Sequence, residues 1–257
     1  MGKASRLKKE RRQAPPPVEN RTVALPQRAV LLGTVGIVVA IGIVVGVLVA
    51  TRSPPKAPPP ASSAAADRNA PAALVKAADA VNFQPNVEPG VGKLEGEPAS
   101  AARPPTNPSL LAVGTKAPAF GLKTPEGTSV SLSAYRGKPV LLEFFATWCP
   151  HCDAEAPHLQ DIFSSLPRSR YAWLAVNAAS EDAAHVFAYH RYFGLTSPVL
   201  LDPGPSAGAL GPVSTDYHVQ TYPTLYILDG KGRITWRSDG EQPDALLRGK
   251  LRQAAGA

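Results

Sequence analysis

The only two cysteines of this 257-residue chain, Cys149 and Cys152, lie in the sequence W-C-P-H-C. Residues 140–145, just before them, are apolar apart from Glu143 and predict a buried strand, whereas residues 153–166 predict a helix. The pair therefore falls at a strand-to-helix turn. Cys149 stands at the start of the helix, where the helix dipole favours a thiolate. A C-x-x-C pair in this setting predicts thiol–disulfide exchange.

Two other uses of such a pair are a zinc site and a structural disulfide. A structural zinc site needs four ligands, but the sequence has no second cysteine pair, and its five histidines show no H-x-x-x-H spacing. A disulfide across two intervening residues closes a very short loop and adds little entropic stabilisation. The position at a helix start favours redox chemistry.

The order of the cysteines along the helix assigns their roles. Cys149 begins the helix and is expected to be the attacking thiolate, and Cys152, one turn further, is expected to resolve the mixed disulfide. His151 is either an electrostatic stabiliser of the Cys149 thiolate or a solvated loop residue. Pro150 fixes φ at the first helical position, where its missing amide would have had no partner.

Trp148 and Glu143 are the other candidates around the pair. Trp148 is expected to shield the disulfide, or else to belong to the core. Glu143 interrupts an apolar strand, and a carboxyl group buried there must be protonated or hydrogen-bonded. In that position it could accept the Cys152 proton during exchange, whereas at an edge of the sheet it would be solvated.

Charge and hydropathy predict a membrane anchor near the N-terminus. Residues 1–28 carry eight basic and two acidic side chains, which is six of the seven net positive charges, so we expect no nucleic-acid partner for the remainder. Residues 29–50 are uncharged and as a helix would span roughly 33 Å, enough to cross a bilayer. A cleaved signal peptide has a shorter apolar core, about 7–15 residues, so we expect an uncleaved signal anchor. The preceding basic residues place the N-terminus in the cytoplasm and the rest of the chain outside.

The remaining residues divide into a linker and one domain. Residues 51–112 contain 12 prolines and few large apolar side chains, which predicts an extracytoplasmic linker. Within it, residues 72–83 have helical spacing and predict a short helix. Residues 113–257 have the length of one domain. On the outer side of a membrane this domain faces an oxidising compartment, where dithiol exchange finds its substrates.

The hydrophobic pattern of the domain predicts an α/β fold with a mixed sheet and helices on both faces. The predicted strands are residues 119–122, 129–132, 140–145, 172–177, 197–201, 224–228 and 233–237. The predicted helices are residues 153–166, 181–193 and 243–253. A turn at residues 229–232 joins the last two strands into a hairpin.

Several separate motifs in residues 113–254 resemble the thioredoxin superfamily, and more closely its membrane-anchored TlpA/ResA-type thiol–disulfide oxidoreductases. They are VGTKAPAFGL, LSAYRGKPVLLEFFATWCPHC, Pro157, Tyr222-Pro223-Thr224 followed by LYILDGKGRI, and Gly240. The resemblance implies a thioredoxin fold, a cis peptide bond before Pro223, and a redox-active Cys149–Cys152 disulfide without another cofactor. It also places the backbone of Tyr222 where an extended protein substrate could pair with it.

The chain departs from this family at two positions. The dipeptide between the cysteines is Pro-His, as in the DsbA oxidases, and thioredoxin has an aspartate where this chain has Glu143. A well-stabilised Cys149 thiolate makes a disulfide more oxidising, so the sequence predicts a reduction potential above that of thioredoxin, about −270 mV.

The sequence thus predicts a single-pass, membrane-anchored, extracytoplasmic thiol–disulfide oxidoreductase that acts on protein thiols and disulfides. The family resemblance favours a reductant, as in cytochrome c maturation, and the Pro-His dipeptide favours an oxidase for secreted proteins. Either would exchange electrons with a membrane donor or acceptor, and the oligomeric state is left open. A peroxiredoxin-like peroxidase is a third alternative, because the opening APAF is shared with that family. A non-enzymatic membrane-tethered redoxin is a fourth.

Overall fold

A seven-stranded mixed sheet forms the centre of the computed structural model, which describes residues 70–86, residue 91 and residues 97–256. The strands lie in the order β2-β1-β5-β4-β3-β6-β7. They are β1 (Gly121–Lys123), β2 (Ser129–Ser131), β3 (Val140–Phe145), β4 (Ala172–Asn177), β5 (Val199–Leu201), β6 (Thr224–Leu228) and β7 (Ile234–Asp239). The α/β class and the mixed sheet predicted from the sequence are confirmed.

Five α-helices accompany the sheet in the described part of the chain. They are α1 (Ala72–Val81), α2 (Pro150–Ser165), α3 (Ala183–Phe193), α4 (Pro212–Asp216) and α5 (Asp244–Ala254). The four predicted helices are present with ends shifted by a few residues. Helix α4 is not predicted, because five residues are too few to show a helical period.

The strands differ from the sequence prediction mainly at their ends. Strand β2 stops at Ser131 because the chain turns there into a short 3-10 helix, Leu132–Tyr135. The Ser131 side chain caps this turn by accepting a hydrogen bond from the Ser133 amide at 3.3 Å. Strand β5 is confined to Val199–Leu201, three residues that pair with β4 in parallel.

Strand β3 is buried on both faces, which explains its nearly continuous apolar sequence. It pairs with β4 in parallel and with β6 in the antiparallel sense, so it lies inside the sheet. Leu141 and Phe145 pack in a cluster with α2, α3 and α5, whereas Leu142 and Phe144 pack in the cluster on the opposite face. Because side chains alternate along a strand, Glu143 shares a face with Leu141 and Phe145. This is the face on which α2 carries the cysteines.

Helix α1 lies against α3, although its residues fall in the stretch that the sequence assigns to the linker. The two helices share a small buried cluster: Ala78, Phe187 and Ala188. Phe83, just after α1, makes ring contacts with centroid distances of 5.5, 5.4 and 6.1 Å to three residues of α3: Tyr189, Tyr192 and Phe193. The short helix expected near residue 72 is therefore present and packed.

The predicted tail and anchor, residues 1–28 and 29–50, lie outside the described residues. Within the described ranges, no helix has both the length and the hydropathy needed to cross a bilayer. The anchor and the orientation of the chain stay predictions.

Candidate active site

Cys149 is held at the turn between β3 and α2. It is the N-cap residue of α2, with an extended backbone (φ −85°, ψ 115°), and Pro150 is the first helical residue. The Cys149 sulfur accepts the amide hydrogen of Cys152 at 3.3 Å. Cys149 is 4% exposed and Cys152 is fully buried, so Cys149 is the sulfur that an incoming disulfide can reach.

The turn itself is fixed from the neighbouring strand end. The Glu181 carboxylate accepts hydrogen bonds from the Thr147 amide at 2.8 Å and from the Thr147 hydroxyl. Asn177, the last residue of β4, donates to the same carboxylate at 2.6 Å. These contacts hold the backbone two residues before Cys149, which keeps the sulfur in register with the start of the helix.

The pKa values of the two thiols are shifted in opposite directions. The pKa of Cys149 is lowered chiefly by a hydrogen bond from the Cys152 side chain, with help from the amides of Cys152 and His151 and from the His151 imidazole, while burial opposes the shift. Burial, followed by the influence of Cys149, raises the pKa of Cys152 well above the ordinary value of a thiol. This asymmetry is what the predicted roles of attacker and resolver require.

The loop before β6 and Trp148 form the rim beside the Cys149 sulfur. The peptide bond between Tyr222 and Pro223 is cis, and the Tyr222 carbonyl oxygen lies 3.6 Å from the Cys149 sulfur, which donates to it. Trp148 is 55% exposed and meets the Tyr222 ring edge-on at 5.7 Å. Trp148 is therefore a rim residue and does not belong to the core.

Glu143 lies buried beneath the cysteine pair. It is 2% exposed, and its carboxylate accepts a hydrogen bond from the Trp173 indole nitrogen at 3.0 Å. Burial raises the pKa of Glu143 to about 8, although the Trp173 hydrogen bond acts in the opposite direction. The solvated edge position considered from the sequence does not occur, since β3 is interior.

A second buried carboxyl group, Glu155, is missing from the sequence-based candidates. One of its oxygens accepts the Gln242 amide hydrogen at 3.3 Å, and the other has no hydrogen-bond partner among the described residues. Burial, and then the charge of Glu143, raises the pKa of Glu155 well above its ordinary value. The available signal was its position three residues after Cys152, which places both on one helix face.

His151 does not point freely into solvent, because its Nδ1 contacts the carboxylate of Glu241. The His151 side chain is 46% exposed, whereas that of Glu241 is 6% exposed. Glu241 lies between β7 and α5, directly before Gln242. Two consecutive residues of this loop therefore contact the site. Glu241 contacts His151, and the amide of Gln242 donates to the buried Glu155.

The segment after α1 touches both residues that flank the C-x-x-C sequence. The Asn86 amide donates to a carboxylate oxygen of Asp153 at 2.5 Å, and the Asn86 side chain donates to the Trp148 carbonyl at 3.4 Å. Burial raises the pKa of Asp153 to about 7, against the effect of the Asn86 hydrogen bond. Residues far upstream in the sequence thus contribute one side of the site.

A reachable N-cap sulfur paired with a buried one, above a mixed α/β sheet, defines a thioredoxin-like thiol–disulfide oxidoreductase. Residues 113–237 match the model of the AhpC/TSA family. A structure from Chlorobium tepidum named thiol:disulfide interchange protein DsbE superimposes with a TM-score of 0.51 at 26% identity, covering 57% of this chain and 99% of that one. The predicted thioredoxin-like fold is therefore confirmed.

Two relatives identify the family within this class of oxidoreductases. The thioredoxin-like protein YneN of Bacillus subtilis is 40% identical over 123 residues, which are 47% of this chain and 68% of YneN. The thiol–disulfide oxidoreductase ResA of Geobacillus thermodenitrificans is 33% identical over 129 residues, which are 50% of this chain and 70% of ResA. The chain belongs to the ResA-type family of thiol–disulfide oxidoreductases.

Proposed function

We propose that this oxidoreductase is anchored in the cell membrane by residues 29–50 and reduces disulfides of extracytoplasmic proteins, apocytochrome c being the candidate substrate. The observation that carries the direction is the complete burial of Cys152. Loss of water, followed by the influence of Cys149, raises the pKa of the Cys152 thiol well above its ordinary value. A disfavoured thiolate destabilises the dithiol relative to the disulfide, which makes the reduced form a better electron donor.

The exchange can be written with the groups of the site. The Cys149 thiolate attacks a substrate disulfide, forms a mixed disulfide and expels the second substrate sulfur, which takes up a proton from water. Cys152 then loses its proton to the Glu143 carboxylate and attacks the Cys149 sulfur, so that the first substrate sulfur leaves as a thiolate and takes up a proton from water. Two electrons pass to the substrate, and the enzyme is left with a Cys149–Cys152 disulfide that a membrane dithiol donor reduces.

The rim beside Cys149 supports a protein substrate. The Tyr222 carbonyl lies next to the sulfur, and the exposed Trp148 ring offers apolar surface at the same place. An extended segment on either side of a substrate disulfide can bond to the Tyr222 backbone as a strand does.

A second candidate function is peroxide reduction, which the AhpC/TSA match favours. The full chain in detergent, supplied with dithiothreitol, is assayed for insulin reduction and for hydrogen peroxide consumption, and its potential is measured against glutathione. We expect catalysed insulin reduction, background peroxide consumption and a potential well below that of DsbA, about −120 mV. Faster peroxide consumption would favour the peroxidase, and a potential near that of DsbA would favour the oxidase.

A further inference from the structure

The contact between Glu241 and His151 places a negative charge against the only basic side chain in the C-x-x-C segment. Glu241 is nearly buried, whereas half of the His151 side chain is exposed. Whenever the imidazole is protonated, its positive charge is therefore paired with a carboxylate that has little water around it. A paired charge acts on a third group as a dipole, which is weaker than an isolated charge.

The other titratable groups near Cys149 are acidic or neutral. Glu143 stands on β3 under the pair, Glu155 on α2 beside it, and both carry raised pKa values because they are buried. Glu241 itself adds to the raised pKa of Glu155. His151 is thus the one group of this set whose charge would favour the Cys149 thiolate.

We propose that Glu241 is a positioning residue that neutralises His151, and so keeps the Cys149–Cys152 couple more reducing than a Pro-His dipeptide would otherwise make it. This inference rests on the proposed reductant function and deepens it. It reconciles a dipeptide shared with the DsbA oxidases with a ResA-type domain, because the loop after β7 cancels the charge that the dipeptide brings.

The quantity to measure is the equilibrium constant of one balanced reaction. The protein disulfide and two molecules of glutathione give the protein dithiol and one glutathione disulfide, with two electrons transferred. Stabilising the Cys149 thiolate stabilises the dithiol form and increases this constant. A tenfold increase corresponds to a rise in potential of about 30 mV.

The test compares four full-length proteins at pH 7: the wild type, Glu241→Gln, His151→Ala and the double variant. Glu241→Gln removes the negative charge beside the imidazole and the thiolate, and it is expected to increase the constant about tenfold, or ~30 mV. His151→Ala leaves the carboxylate alone and is expected to lower the constant. The double variant has neither charge and is expected to return to within about threefold of the wild type, or ~15 mV.

The matched control is Asp244→Asn, because Asp244 lies 3.6 Å from His158 in a second histidine–carboxylate pair, further along α2. It is expected to leave the constant unchanged. Glu241→Ala removes the same charge and serves if the glutamine variant does not fold. Since His151 is half exposed, water can replace the lost contact, and near-ultraviolet circular dichroism checks that the fold is retained.

An unchanged or lower constant in both Glu241 variants would overturn the inference, as would a shift of equal size in Asp244→Asn. The reductant function fails separately, through a wild-type potential near that of DsbA or through loss of insulin reduction. Neither of those results depends on how the Glu241 variants shift the constant relative to the wild type.

Discussion

Cys149 and Cys152 are separated by two residues, yet their surroundings differ in almost every respect. Cys149 caps a helix, accepts backbone hydrogen bonding and faces the rim formed by Trp148 and Tyr222. Cys152 is fully buried, and its backbone carbonyl accepts a hydrogen bond from the Tyr189 hydroxyl at 3.1 Å. One turn of helix carries the same residue type from the rim of the site to complete burial in the core.

Burial and hydrogen bonding, more than charge, separate the pKa values of the two thiols. A hydrogen bond from its partner is the leading influence on Cys149, and loss of water is the leading influence on Cys152. The motif supplies two thiols, and the helix start together with the core makes them unequal. Charged neighbours such as Glu143 and His151 then adjust a pKa difference that burial and hydrogen bonding have already created.

The largest test of this asymmetry replaces each cysteine by serine. Both variants are expected to lose insulin reduction down to the uncatalysed background, because exchange needs both sulfurs. Only Cys152→Ser is expected to accumulate a mixed disulfide with substrate, since its attacking sulfur is intact and its resolving sulfur is gone. Non-reducing gels and intact-mass spectra measure this. Capture of substrate by Cys149→Ser would reverse the assignment.

The next test concerns the buried thiol, Cys152, and the role of Glu143 as its base. Glu143→Gln keeps an acceptor for the Trp173 indole but removes the base, and it is expected to slow resolution of the mixed disulfide by about 10²-fold. In the wild type the rate should rise as the pH increases through about 8, because the Glu143 carboxylate forms over that range. The variant should lack this rise.

Stopped-flow release of a fluorescent substrate from the mixed disulfide gives both pH profiles. Asp161→Asn is the control, because Asp161 is an exposed acid on α2, the helix that carries Cys152. The pH profile of this variant should match that of the wild type. Matching profiles for Glu143→Gln and the wild type would show that Cys152 loses its proton by another route.

The smallest effect expected on the site comes from the packing of α1. Phe83→Ala removes ring contacts to α3, and it is expected to lower the free energy of unfolding by about 1–3 kcal/mol, less than a fully buried phenylalanine would cost. The alkylation rate of Cys149 should change little, since its cap contacts remain. Urea unfolding is compared with Val113→Ala, an exposed apolar position. Equal stability of the two variants would show that the aromatic contacts contribute nothing.

Much of the fold could be predicted because buried strands and helices have a clear hydrophobic pattern in the sequence. The apolar run of β3 reflects a strand covered on both faces, and the helical spacing near residue 72 reflects the stripe that α1 buries on α3. Helix α4 and the ends of β2 and β5 could not be predicted, because they depend on local turns and on three-residue pairings. Such features leave no periodic signal.

The residues of the candidate site also fall into two groups, those that the sequence predicts and those that only the fold reveals. The cysteines and Pro150 follow from a local motif, and Glu143 follows from an acid in an apolar strand. Glu155 could have been found from its helical spacing to Cys152. The contact of His151 with Glu241 joins residues 90 positions apart, and that of Asn86 with Asp153 joins residues 67 apart. Only the folded chain brings these groups together.

The docking of α1 has a practical consequence for anyone who shortens this protein. A fragment that starts after residue 86 would uncover Phe187 and Ala188, both buried in the cluster that α1 completes, together with the aromatic rings that Phe83 contacts. Contiguous bare apolar surface of this kind promotes self-association. Dimers or aggregates of such a fragment would therefore result from the apolar surface exposed by removing α1. They would not indicate the oligomeric state of the whole chain.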